Sequence, residues 1–207
     1  MNLRGLHRSS AIVVASFAML HIANHLVSLS GVPAHIAFME SARLVYRNAF
    51  VETVLLVCVA FQVVSGLWFL VRGWRTRRGV VARLQAASGA YLAFFLLVHV
   101  GAVLFGRAAL ALDTNFFFAA AGFHVPPYQF FFAPYYFVAV LALFTHLACA
   151  LYWQLDSIQP ARRKLVLAAP FATGALASLL IVMSLAGMFE RVDIPARYKA
   201  TYAFGAT

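Results

Sequence analysis

Acidic residues are scarce: six Asp and Glu stand against sixteen Lys and Arg in 207 residues, and charged side chains of either sign make up only 11%. A soluble globular domain carries roughly 25% charged residues. With 64% hydrophobic residues and a mean hydropathy of +0.86, the chain reads instead as one integral membrane domain spanning residues 1–207. Only two cysteines are present, Cys58 and Cys149, both inside apolar runs. That excludes a disulfide scaffold and a Cys-x-x-Cys-His attachment for a c-type haem. The net charge of +10 does not mark a nucleic-acid binder, because the basic residues sit mainly at the ends of apolar runs, as topology signals and headgroup contacts do.

Charge is missing altogether from residues 9–39, 53–71, 84–106, 114–155 and 165–189. About 20 apolar residues cover the hydrocarbon core as a helix, so these runs predict an all-α fold with five transmembrane helices, at about 10–30, 50–71, 85–106, 133–155 and 166–189. The fourth is trimmed at Pro126, Pro127 and Pro134 because proline belongs at a helix start. Arg4 and Arg8 before an apolar run resemble a signal peptide, but the run continues past any small-residue cleavage site to His21 and His25. A retained first helix is therefore expected. Lys and Arg counted on alternate sides number ten and six. The excess predicts an N-terminus inside and a C-terminus outside. Residues 108–132 are crowded with aromatics, among them Phe116, Phe117, Phe118 and Phe130. They read as an interfacial belt or a half-inserted helix.

Two stretches repeat one pattern. Residues 6–21 and 84–99 both open on Leu and a polar ring or amide (His7, Gln85), pass small residues, and end in a histidine inside an apolar run. Four histidines fall within the spans: His21 and His25 on the first, His99 on the third and His146 on the fourth. Ionisable groups at membrane depth mark functional sites by default. At about 1.5 Å rise per residue, His21 lies roughly 1–2 Å and His99 roughly 5 Å to the outer side of the midplane, and His146 roughly 3 Å to the inner side. His21 and His99 can thus face each other, and two neutral imidazoles are what a low-spin haem iron accepts as axial ligands.

Gln62 lies near the level of His146, and each has a small residue four positions on (Gly66, Ala150). A second, inner site is outlined, but an amide is a poor iron ligand beside imidazole, so one haem b is expected and the inner site is empty, altered or five-coordinate. His25, one turn beyond His21, either replaces it, hydrogen-bonds a propionate or quinone, or contacts headgroups. His7, His35 and His124 fall at span ends or in loops, where solvated side chains are expected.

The sequence resembles the membrane-anchor cytochrome b subunit of succinate dehydrogenases and fumarate reductases, in its single-subunit, five-helix form. The resemblance covers residues 5–155. It rests on Leu6-His7 leading to His21, Phe38-Met39-Glu40, Val51-Glu52, Gln62 through Gly66, Leu84-Gln85 with Ser88-Gly89 leading to His99, and His146.

It implies a four-helix core around two haems b. The outer haem would be held by His21 and His99; the inner one would keep His146 and lose its partner at Gln62. It also implies a quinone partner, and flavoprotein and iron–sulfur subunits docked on the inner face. Glu52 would take quinol protons, or serve only as a helix N-terminal charge. Arg8 would contact a propionate or quinone carbonyl, or act only as a positive-inside residue. No flavin or dinucleotide fingerprint is present, so no dicarboxylate chemistry is expected of this chain alone. Two other readings stay open: a stand-alone haem-binding membrane protein of the same fold, and a cofactor-free membrane adaptor whose histidines only bond between helices.

Overall fold

The computed structural model describes residues 2–155 and 159–202. Among them the chain is helical without strands: α1 (Leu3–Val27), α2 (Val32–Tyr46), α3 (Ala49–Arg72), α4 (Val80–Ala108), α5 (Phe116–Ala120), α6 (Gln129–Gln154), α7 (Pro160–Leu185) and α8 (Ala196–Lys199). Five helices, α1, α3, α4, α6 and α7, are long and apolar enough to cross a membrane. Their side chains are largely exposed, which suits a lipid surround because a hydrocarbon neighbour costs an apolar side chain nothing.

Local chemistry sets the helix ends. The first helix begins seven residues earlier than the predicted span, because the Asn2 side chain accepts from the Gly5 amide at 2.9 Å and caps it. His7 and Arg8 therefore lie on α1, not before it. Asn48 caps α3 in the same way, accepting from Phe50 at 3.0 Å. Pro134 falls inside α6 and not at its start; it is six residues into the helix, where only the first turn's hydrogen bonding is affected.

The spans pack in sequence, α1 on α3, α3 on α4, α4 on α6 and α6 on α7, and α7 returns to touch α1. The α6–α7 pair is the most extensive. There Gly174 lies so close to α6 that a Cβ would stand 2.6 Å from Cβ of Phe144, so the contact needs glycine.

The main buried cluster is a cap on the side opposite the N-terminus. Ile22 of α1, Val32 of α2, Phe116 of α5, Leu185 of α7, and Ile194 and Tyr198 of the tail pack together there. The α2 helix was not expected from the sequence. It starts at Gly31, whose φ of +109° favours glycine, and its first amide, Val32 N–H, donates to the Glu190 carboxylate at 2.9 Å. A carboxylate at a helix N-terminus meets both the orphan amide and the dipole. The 108–132 aromatics divide. Phe116 is 1% exposed and belongs to the cap, while Phe130 is 77% exposed.

Candidate functional site

Two polar clusters lie among the spans. In the first, α1 and α4 bring His21 and His99 together with ring centres 6.0 Å apart and planes tilted by 59°. Each ring is flanked by an aromatic one turn earlier on its own helix: Phe17 stacks on His21 at 5.8 Å, and Phe95 on His99 at 4.9 Å. Tyr136 of α6 closes the far side of His99 at 6.3 Å. Neither imidazole hydrogen-bonds to another described residue. Ring nitrogens without partners inside an apolar span are costly, so both imidazoles are open to a ligand.

The row of rings continues outward. His25 meets His21 edge-on at 4.7 Å and lies 5.1 Å from His35 of α2. His35 was expected to be solvated, but it is 2% exposed, held by Asn24 Nδ2 at 3.2 Å and by the edge of Phe116 at 5.3 Å. The Nδ1 atoms of both His25 and His35 are buried without a partner. Burial, followed by the charges of His21 and Arg43, pushes His35 down to about 4.

The unfolded imidazole titrates near 6.5. Between these values the unfolded chain takes a proton that the folded chain refuses. The stability this protects is therefore whole above pH 6.5 and is lost as pH falls through about 4. The full loss is about 3 kcal/mol. Thermal unfolding in detergent between pH 8 and pH 4 is expected to show that decline, with a flatter profile for His35→Asn.

The second cluster lies nearer the N-terminal side. His146 of α6 donates from Nδ1 to the Gln85 carbonyl at 3.1 Å and lies 3.3 Å from Ser88 Oγ of α4. His7 of α1, also expected to be solvated, is half-buried with its Nδ1 2.6 Å from Ser65 Oγ of α3. The Gln62 amide donates to the His7 carbonyl at 2.6 Å and to Ser10 Oγ at 2.7 Å, so its nitrogen is committed to α1. His124, the third histidine expected in solvent, donates from Nε2 to the Leu185 carbonyl at 2.9 Å and caps the end of α7.

Glu52 is tied across the bundle, to Arg107 of α4 through both guanidinium nitrogens. It works here as an interhelical ion pair, with Arg43–Asp113 at 2.7 Å as a second pair. Arg8 is exposed and makes no contact with a described polar side chain. Among the described residues no group of three or more His, Cys, Asp or Glu could hold a metal ion. An apolar groove of about 650 Å3 runs between α1 and α2, with Leu20, Val27, Phe38 and Val45 in its walls and no histidine.

The pairing of His21 with His99 was readable from the repeat and the depth of each residue. Those of His7 with Ser65 and His35 with Asn24 were not. The Ser-Gly dipeptides at 65–66 and 88–89 were the one signal available for the N-terminal-side cluster. No protein-family model, curated protein or solved structure matches the chain.

Proposed function

We propose that this protein is a haem b-binding membrane subunit, acting as the anchor and electron-transfer component of a succinate dehydrogenase or fumarate reductase-like complex. The observation that carries the reading is the His21–His99 pair: two imidazoles from two helices, facing each other at 6.0 Å, neither hydrogen-bonded to a described residue. Two rings bound to one metal at about 2 Å each, with ring centres about 1 Å behind the bonding nitrogens, stand about 6 Å apart. Haem needs only two ligands from the protein, because the porphyrin supplies the others.

Haem bound there would supply a one-electron relay between a quinone and partner proteins. The chain's own residues supply the rest. His21 and His99 would hold the iron, while Phe17, Phe95 and Tyr136 wall the pair with rings. The α1–α2 groove, apolar and open to the lipid side, suits the tail of a quinone. With the N-terminus inside a cytoplasmic membrane, the exposed Arg4, Arg8, Arg75, Arg78 and Arg83 form a basic face. Flavoprotein and iron–sulfur subunits would dock on that face.

One observation favours the second reading, a stand-alone haem-binding protein of the same fold. The residue at the family's inner ligand position, Gln62, spends its amide on α1. Isolation of the tagged full chain from its native membrane in mild detergent separates the two. A flavoprotein and an iron–sulfur protein at equal stoichiometry are expected; a haem protein isolated alone selects the second reading. A cofactor-free adaptor would explain the bonded His7, His35, His124 and His146 but leaves His21 and His99 without a role.

A further inference from the structure

Three arginines converge at the end of the bundle opposite the N-terminus. Arg43 lies in the last turn of α2, Arg47 caps that helix, and Arg107 lies in the last turn of α4. The loop after α4 folds back, with the Leu112 amide donating to the Gly106 carbonyl at 2.9 Å, and its next two residues meet the α2 arginines. Arg43 pairs with Asp113 Oδ1 at 2.7 Å, and Arg47 donates from Nη2 to Thr114 Oγ1 at 3.1 Å. Arg107 is held from the other side by Glu52, in the first turn of α3 just beyond Arg47.

The charges in this cluster do not balance. Two carboxylates face three guanidinium groups, and every carboxylate oxygen is already committed. Both oxygens of Glu52 accept from Arg107, while Asp113 gives Oδ1 to Arg43 and Oδ2 to the Asn115 amide at 3.0 Å. Arg47 is left with one neutral hydroxyl for a fork of five N–H donors, and it forms no ion pair with a described residue. Burial, followed by the charges of Arg43 and Arg107, pushes its guanidinium below the usual arginine range. The buried Nε of Arg43 also lacks a partner. One positive charge is therefore unanswered, and an anion would both neutralise it and take up the spare donors.

The surroundings narrow the kind of anion. Leu44, Val45, Phe50 and Phe105, which stand beside these arginines along the chain, are exposed. At the end of a set of membrane spans, exposed aliphatic and aromatic side chains meet acyl chains while basic residues meet headgroups. A ligand suited to this place carries one negative charge, two oxygens for a guanidinium fork, and apolar tails. The phosphodiester of an anionic lipid has all three. Inorganic phosphate has no tail and carries up to about two charges, and phosphatidylcholine cancels its phosphate with its own ammonium.

We infer that Arg47, flanked by Arg43 and Arg107, binds the phosphodiester of an anionic lipid where α2, α3 and α4 meet. The site needs no haem and stands apart from the function proposed above.

Native mass spectrometry of the full-length protein released from detergent micelles tests this, with phosphatidylglycerol, phosphatidylcholine or inorganic phosphate added in turn and thermal unfolding followed in parallel. Phosphatidylglycerol should be retained in preference to phosphatidylcholine and should raise the unfolding temperature, and inorganic phosphate at the same concentration should do neither. Arg47→Gln should weaken retention by about tenfold, the worth of a charge-assisted hydrogen bond. Arg47→Lys keeps the charge, gives up the two-pronged fit and should lose a smaller part. Arg191→Gln, a change of equal charge on the same side at a side chain 90% exposed, should leave retention as in the wild type. Equal retention of phosphatidylcholine and phosphatidylglycerol by the wild type overturns the inference. Unchanged retention of phosphatidylglycerol in either Arg47 variant that is folded overturns it as well. Full stabilisation by inorganic phosphate alone would assign the cluster to a free anion and overturn the lipid site.

Discussion

His99→Ala is expected to remove one haem per chain without loss of helical content. Its low-spin signal should vanish, and the reducible α-band should fall in proportion. The effect should be large for that haem, because the second imidazole alone leaves the iron with one strong protein ligand. His21→Ala is expected to be milder. His25 stands one turn on with its ring centre 4.7 Å from that of His21, and its buried Nδ1 has no partner to give up. Part of the haem should therefore be retained in His21→Ala and lost in the double variant His21→Ala/His25→Ala. Haemochrome quantitation of the three proteins checks the order. Equal retention in all of them would show that the α1–α4 pair is not the site.

Phe116→Ala is expected to cost about 3–5 kcal/mol of stability, the range for removing a buried phenylalanine. Phe116 is 1% exposed, packs against His35 at 5.3 Å and meets Phe117 at 6.1 Å. Phe117 in turn faces Tyr198 of the tail at 6.1 Å. The variant opens a cavity where α2, α5 and the tail converge, and collapse is limited because Ala120, Ala121, Leu185 and Tyr198 around it are already fully packed. Phe130→Ala removes an equally large ring that is 77% exposed and should leave thermal unfolding in detergent almost unchanged. Similar losses for both variants would mean that the aromatic segment is uniform, contrary to the packing described above.

The contrast between these two phenylalanines shows where the sequence was informative. The five spans were legible because a charge inside hydrocarbon is costly and the five charge-free runs are long. His21 and His99 could be paired because a helix converts residue number into depth. The cap was hidden for the opposite reason. It buries residues by convergence of distant segments, and nothing in residues 31–48 or 190–202 has the length or periodicity that would announce it. The placement of Tyr198, with no exposed surface, depends on neighbours from α5 and α7 that no local pattern supplies.

Polar residues near the span ends were misplaced for a related reason. Arg4 and Arg8 end the apolar run and suggested a helix beginning near residue 10, whereas the Asn2 cap starts it at Leu3 and carries His7 alongside α3. Gln62 was read as standing where the family resemblance implies a histidine ligand. Its actual work, two hydrogen bonds into α1, depends on which face of α3 meets which neighbour, and helical periodicity does not reveal that in a segment apolar all round. Glu52 was legible as a charge at a helix start, but its ion pair with Arg107 on α4 needed the packing of α3 on α4.

The most direct test of haem binding is the reduced-minus-oxidised absorption spectrum of the purified full-length chain, expressed with an adequate haem supply. The proposed function predicts a Soret shift and a sharp α-band of low-spin haem b, lowered in His99→Ala. A folded, helical protein with no reducible haem absorption would contradict it.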